Sequence, residues 1–190
     1  MAATNSQMLE LGTIAPDFSL ADPDGEQHGL GSGANAYLVI FICNHCPFVK
    51  HIREELARLG RDYLSRNVSI VAINSNDANT HPGDSPEKMK EEVADWGYEF
   101  PYIIDADQSV AKSYRAACTP DFFLFDAEKK LVYRGQLDAS RPRNDIPVSG
   151  KDLRAALDAA MSGNPVSSDQ VPSIGCNIKW ISGQEPDYFG

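Results

Sequence analysis

Cysteine is scarce in this 190-residue sequence, which holds four. That number is too small for the disulfide framework that stabilises small secreted domains. The first residues show neither a basic start nor an apolar stretch, so we predict no secretory signal and expect a cytosolic protein. In a reducing cytosol, paired cysteines are more often catalytic, redox-sensing or metal-binding than structural.

Positive charge and long apolar runs are also sparse. The 17 Lys and Arg residues are outnumbered by 27 Asp and Glu, which gives a net charge of −10, and the basic residues form no large cluster. Nucleic acid is therefore not an expected partner, because backbone binding needs concentrated Lys and Arg. No apolar run approaches about 18 residues, so no membrane span is predicted. With 42% hydrophobic residues, the chain can form one domain with a sizeable core.

Strand and helix patterns alternate along the chain. Period-2 or continuous apolar runs predict strands, and helical spacing with capping residues predicts helices. The expected strands are 18–21, 26–28, 37–43, 68–74, 101–104, 121–126 and 131–134. The expected helices are 47–63, 85–96, one that starts at 107 or 109 and reaches 114, and 150–161. This order predicts an α/β fold: a mixed central sheet flanked by helices, with a short N-terminal β-hairpin. We expect a domain at 1–163 and a C-terminal extension, 164–190, that packs on it.

Cys43 and Cys46 form a Cys-x-x-Cys motif where an apolar strand gives way to a helix. Unpaired N–H groups and the macrodipole at a helix start favour a thiolate over a thiol. The spacing also lets the two sulfurs close a small disulfide. The pattern favours a thiol–disulfide redox site, and half of a zinc site or two small core residues remain open.

Three segments resemble the thioredoxin-like superfamily, and more narrowly its redoxin, or peroxiredoxin-like, members. They are 41–49, which contains the Cys-x-x-Cys motif, 71–77, and 117–126, which contains Thr119-Pro120. The tail around Cys176 is also similar to theirs. The resemblance implies a thioredoxin-like fold, with Cys43 as nucleophile and Cys46 as resolving cysteine. It also implies a cis-proline loop at Thr119-Pro120, whose exposed Thr119 backbone would pair with a substrate strand.

The motif departs from thioredoxin in the residues around its cysteines. Thioredoxins usually have Trp before the first cysteine and Gly-Pro between the pair, whereas this chain has Ile42 and Asn44-His45. An imidazolium at His45 could stabilise a Cys43 thiolate and make the disulfide more oxidising, and a solvent-exposed residue without a role is the alternative.

Peroxide reduction and metal binding are the two alternatives to disulfide exchange. Aligned on Cys46, the peroxiredoxin pattern would need Pro and Thr where this chain has Val39 and Cys43, and an arginine near Thr119. These substitutions favour disulfide exchange, with peroxide reduction as the alternative. A Cu(I)- or Zn-binding thioredoxin-like protein is a second alternative, because Cys43, Cys46 and a histidine form a soft ligand set.

Cys118 and Cys176 are the remaining cysteines. Cys118 precedes Thr119, which would place it near the dithiol, and Cys176 lies in a tail with enough apolar residues to pack back. We hypothesise a disulfide relay through Cys176, and a buried small side chain is the alternative for Cys118. We therefore predict a thiol–disulfide oxidoreductase that needs no cofactor and no metal. Its expected partners are disulfide-containing proteins or small thiols, with peroxides as a further substrate class.

Overall fold

The computed structural model describes residues 3–189, and the elements named below lie within them. The strands are β1 (Ala3–Asn5), β2 (Leu20–Ala21), β3 (Gln27–His28), β4 (Ala36–Phe41), β5 (Val68–Asn74), β6 (Tyr102–Ile104), β7 (Cys118–Thr119), β8 (Asp121–Asp126), β9 (Leu131–Tyr133) and β10 (Ile174–Asn177). The helices are α1 (Pro47–Leu64), α2 (Pro86–Trp96), α3 (Ser109–Ser113) and α4 (Lys151–Met161), and a 3₁₀ turn spans Pro82–Asp84.

A five-stranded mixed sheet organises the chain, in the order β6-β5-β4-β8-β9. The central strand β4 pairs in parallel with β5 and antiparallel with β8, and all six of its residues are buried. A strand covered on both faces needs a continuous apolar sequence, which is what Tyr37 to Phe41 provide. The predicted mixed α/β sheet is confirmed.

Apolar clusters cover both faces of this sheet. Leu38 and Ile40 of β4 point into one cluster, which α1 and α4 complete with residues such as Leu56 and Leu153. Val39 and Phe41 point into the other, because successive side chains of a strand face opposite ways. That second cluster also contains Tyr114 after α3 and, from the C-terminal segment, Ile178 and Trp180.

Local sequence signals set the helix ends where they were predicted. Ser85 caps α2 by accepting a hydrogen bond from the Lys88 N–H, and Gly97 ends that helix in the left-handed conformation, with φ of 68°. Pro47 begins α1, where the missing N–H of proline has no consequence. Of the described helices, none is long and apolar enough to cross a membrane.

A second, three-stranded sheet was not predicted. β1 from the N-terminus pairs antiparallel with β10, and β10 pairs antiparallel with β7. The sequence indicated no strand in either terminal segment, because these strands are only three and four residues long. The strand predicted at 37–43 ends at Phe41 in the structure, and Ile42 and Cys43 follow it as irregular backbone.

Candidate active site

Cys43 and Cys46 lie together at the carboxyl end of β4, with Cys46 as the N-cap residue of α1. The two side chains face Thr119 across this edge. Cys43 Sγ is 3.3 Å from the Thr119 hydroxyl, and the Cys46 thiol donates to the Thr119 carbonyl at 3.1 Å. Both cysteines are nearly inaccessible, with 1% and 0% of their surface exposed. The structure thus brings together the cysteine pair and the Thr119-Pro120 loop.

The Thr119–Pro120 peptide bond is cis, as the resemblance implies. The expectation that the Thr119 backbone is exposed is wrong. Thr119 is 2% exposed, and its strand partner is Cys176 of β10. The edge at which a substrate strand was expected to pair is therefore covered by the protein's own C-terminal segment.

The thiols of Cys43 and Cys46 have pKa values that are shifted in opposite directions. The Cys43 thiol interacts with the Cys46 sulfur and lowers the pKa of Cys46 to about 5, against the opposing effect of burial, and the Val49 N–H of the first helical turn adds to the lowering. The same interaction, burial and the nearby Asp84 carboxylate raise the pKa of Cys43 well above its usual value. Cys46 is therefore the more acidic thiol of the pair, and its hydrogen bond to the Thr119 carbonyl belongs to the protonated form.

His45 does not act as an isolated cation beside Cys43. Its Nδ1 donates to Asp84 Oδ2 at 2.6 Å, and its ring stacks on His81 with centroids 5.3 Å apart. Its buried Nε2 meets no hydrogen-bond partner among the described residues. Asp84 has a fully buried side chain, and although burial raises its pKa, the hydrogen bonds from His45 and Asn76 bring that pKa below its ordinary value. The Asp84 carboxylate thus lies beside the Cys43 thiol and is hydrogen-bonded to His45.

Asp84 also fixes the turn between the two cysteines. Its Oδ1 accepts the Asn44 N–H at 2.8 Å, the Tyr102 hydroxyl donates to Asn44 Oδ1 at 3.0 Å, and Arg53 donates to the Asn44 carbonyl at 2.9 Å. Sequence reasoning missed Asp84, because nothing in the polar loop 75–84 distinguishes it from its neighbours. Arg53 is half-buried and also pairs with Glu92.

Cys118 and Cys176 sit on the adjacent strands β7 and β10, and both are buried. The Cys118 thiol donates to the Pro120 carbonyl at 3.5 Å, and burial raises its pKa well above the usual value. Burial and the neighbouring Cys46 raise the pKa of Cys176 to about 12.

A metal-binding geometry is present at the same place. One ligand atom each from Cys43, His45 and Asp84 lies within 4.8 Å of the other two. Thiolate, imidazole and carboxylate are all ligands that Zn²⁺ accepts. Asp84, however, already accepts hydrogen bonds from the Asn44 N–H, His45 and Asn76, so a metal there would have to displace part of this network.

The chain is similar in sequence or in structure to several known proteins. A hypothetical protein from Sinorhizobium meliloti has 53% sequence identity and a TM-score of 0.93, and the match covers 95% of this chain and 100% of that one. The thiol-disulfide oxidoreductase ResA of Geobacillus kaustophilus is 29% identical over 140 residues, which cover 70% of this chain and 75% of that protein. The thioredoxin domain of a thiol-disulfide oxidoreductase from Bacteroides vulgatus, with 20% identity and a TM-score of 0.56, matches over 66% of this chain and 88% of that one.

The last of these likenesses shows the fold, and the predicted thioredoxin-like architecture is confirmed. Residues 10–153 match the Redoxin family over most of the chain. The buried cysteine pair, the cis-proline loop and this match agree, and the chain belongs to the Redoxin family.

Proposed function

We propose that this protein is a thiol–disulfide oxidoreductase whose Cys43–Cys46 pair exchanges disulfides with proteins or small thiols. The observation that carries the proposal is the dithiol itself: two neighbouring cysteines at a helix N-terminus, both with their sulfurs against Thr119 of the cis-proline loop, and one with a lowered pKa. The relationship to the oxidoreductase ResA supports the same activity.

In this cycle the Cys43 sulfur, once deprotonated, attacks one sulfur of the substrate disulfide. A mixed disulfide forms, and the other substrate sulfur leaves as a thiolate. Cys46 then attacks Cys43, which releases the second substrate thiolate and leaves the Cys43–Cys46 disulfide. His45 places a ring nitrogen within 4.8 Å of the Cys43 sulfur and is the group positioned to take its proton, while Asp84 holds the ring in place. A reducing compartment, such as the cytosol predicted from the sequence, would return the pair to the dithiol.

A disulfide-reductase assay tests this proposal, with insulin as substrate and dithiothreitol as reductant. Wild-type protein should accelerate the reduction, and Cys43→Ser and Cys46→Ser should each lower the rate to that of dithiothreitol alone. Cys118→Ser is the matched control and should keep the wild-type rate, because the Cys118 thiol is bonded to Pro120 rather than to the pair. Full activity of Cys43→Ser would overturn the proposal.

Peroxide reduction is a second candidate, favoured by the low pKa of Cys46, the residue that aligns with the peroxide-reducing cysteine of peroxiredoxins. The Cys46 thiolate would attack the peroxide oxygen, giving a sulfenic acid and releasing water or an alcohol, and Cys43 would close the disulfide with loss of water. Measured consumption of hydrogen peroxide separates the two activities. With dithiothreitol present to reduce the Cys46 sulfenic acid directly, peroxide turnover that survives in Cys43→Ser and far exceeds the disulfide-reductase rate would favour this candidate over the first.

A further inference from the structure

The C-terminal strand β10 lies where a substrate strand was expected. Cys176 is directly opposite Thr119, and Asn177 is opposite Cys118, in an antiparallel pairing with the segment that leads into the cis-proline. The protein therefore presents one of its own cysteines at the position from which a substrate would meet the dithiol.

Gly175 explains how β10 approaches so closely. A Cβ atom at this position would lie 2.0 Å from the Thr119 carbonyl oxygen and 3.0 Å from the Pro120 nitrogen, so only glycine fits without backbone movement. β1 pairs with the other edge of β10, with Ala3 opposite Cys176. Strands on both sides thus hold Cys176 in place.

Cys176 and Cys46 meet around the same residue. The Cys46 thiol donates to the Thr119 carbonyl at 3.1 Å, and Cys176 is the strand partner of Thr119. Cys43, Cys46 and Cys176 also belong to one buried cluster. Thr119 thus lies against both Cys46 and Cys176, which places the third thiol beside the pair.

A neighbouring groove distinguishes Cys176 from the pair. All three thiols are buried, with 1%, 0% and 3% of the surface exposed for Cys43, Cys46 and Cys176, and of the three it is Cys176 that lines a groove of about 340 Å³, together with Phe48, Arg141 and Arg143.

We propose that Cys176 is a third redox thiol of this centre and that it can replace Cys43 as the disulfide partner of Cys46; this rests on the proposed oxidoreductase function. In the oxidised protein the deprotonated Cys176 sulfur attacks Cys46, the Cys46–Cys176 bond forms, and Cys43 leaves as a thiolate that takes up the proton. The number of disulfides is unchanged, so no external oxidant is needed. The disulfide moves from the enclosed pair to the wall of the groove.

Burial and the neighbouring Cys46 both hold the pKa of Cys176 up in the reduced protein. A disulfide between Cys43 and Cys46 removes the second of these causes and leaves the first. We therefore expect the exchange to become faster as the pH rises, because it needs the Cys176 thiolate.

Disulfide mapping of the full chain tests this inference. Reduced protein is oxidised with diamide, quenched with acid, alkylated, digested and analysed by mass spectrometry. Wild-type protein should show Cys43–Cys46 with a smaller population of Cys46–Cys176, and Cys43→Ser should convert to Cys46–Cys176. Cys46→Ser is the matched variant and should link Cys43 to Cys176 at least about tenfold more slowly, because Cys46 lies between them in the exchange.

The outcomes separate the two proposals. If wild-type protein forms Cys43–Cys46 but neither it nor Cys43→Ser forms Cys46–Cys176, the relay is wrong and the oxidoreductase proposal stands. If wild-type protein forms no Cys43–Cys46 bond, the oxidoreductase proposal fails, whatever Cys176 does. Oxidation of Cys43→Ser that links Cys46 to Cys118 instead would also overturn the relay.

Discussion

The ionisation of Cys46 makes a quantitative prediction about the pH dependence of the reduction potential. Reducing a disulfide with two electrons takes up two protons when both product thiols are neutral, and one proton when one product is a thiolate. A tenfold change in equilibrium constant corresponds to about 30 mV for a two-electron couple. The potential therefore falls by about 59 mV per pH unit below the thiolate pKa, and by about 30 mV per unit above it.

A pKa of about 5 for Cys46 puts the change of slope near pH 5. The raised pKa of Cys43 keeps the shallow slope through the neutral range. Between about pH 6 and about pH 8 the potential should fall by about 60 mV, against about 120 mV for two unperturbed thiols with pKa near 8.5.

The measurement is the fraction of oxidised protein in dithiothreitol or glutathione buffers of known potential, read by alkylation and mass spectrometry. Cys118→Ser should give the same slope, because Cys118 takes no part in the pair. A fall of about 120 mV over the same range would refute the reasoning, since it would mean that both thiols of the reduced protein are neutral.

Asp84→Asn should move the ionisation of Cys43 to lower pH, because the Asp84 charge is one cause of its raised pKa, and the ultraviolet absorbance of the thiolate follows it. Gly175→Ala should lower the free energy of unfolding by about 1–3 kcal/mol, measured in urea, because the new Cβ meets the carbonyl of Thr119. Asp121→Ala should cost about 3–5 kcal/mol in the same assay, because it leaves the fully buried guanidinium of Arg134 without its carboxylate partner.

Two further variants serve as controls for the predicted losses of stability. Gly83→Ala, whose added Cβ would meet only His45 at 3.8 Å, should change stability by less than about 0.5 kcal/mol. Asp187→Asn removes an exposed partner of Arg115 and should cost less than about 1 kcal/mol. An unchanged Cys43 titration in Asp84→Asn, or losses no larger than those of the matched variants, would contradict the corresponding prediction.

The main sheet was predictable because its strands and helices carry strong local signals. The run from Tyr37 to Phe41 is apolar throughout, and Ser85 and Gly97 mark the ends of α2 with the residues that cap helices. β1 and β10 carry no such signal. They are short strands whose partners are distant in sequence, so their pairing depends on tertiary packing.

The cysteine pair and the Thr-Pro pair of the site were predictable from the sequence, whereas the pKa values of the two thiols were not. The spacing of Cys43 and Cys46 and the Thr-Pro pair were visible in the sequence. The raised pKa of Cys43 comes from Cys46, from burial and from Asp84, and Asp84 approaches Cys43 across 41 residues of chain, which local pattern reasoning does not detect. Coverage of Thr119 by β10 likewise follows from a contact between distant segments.

The anchored turn between the two cysteines has a consequence for the effective concentration of one thiol at the other. Asp84 and Tyr102 hold Asn44 in place before any disulfide forms, so Cys43 and Cys46 lose little conformational freedom when they join. A high effective concentration favours the disulfide and makes the pair a stronger reductant. Loosening the turn without altering any charge, as in Tyr102→Phe, would make it a stronger oxidant. The hydrogen bonds that Asp84 and Tyr102 make to Asn44 thus contribute to the reduction potential of this centre.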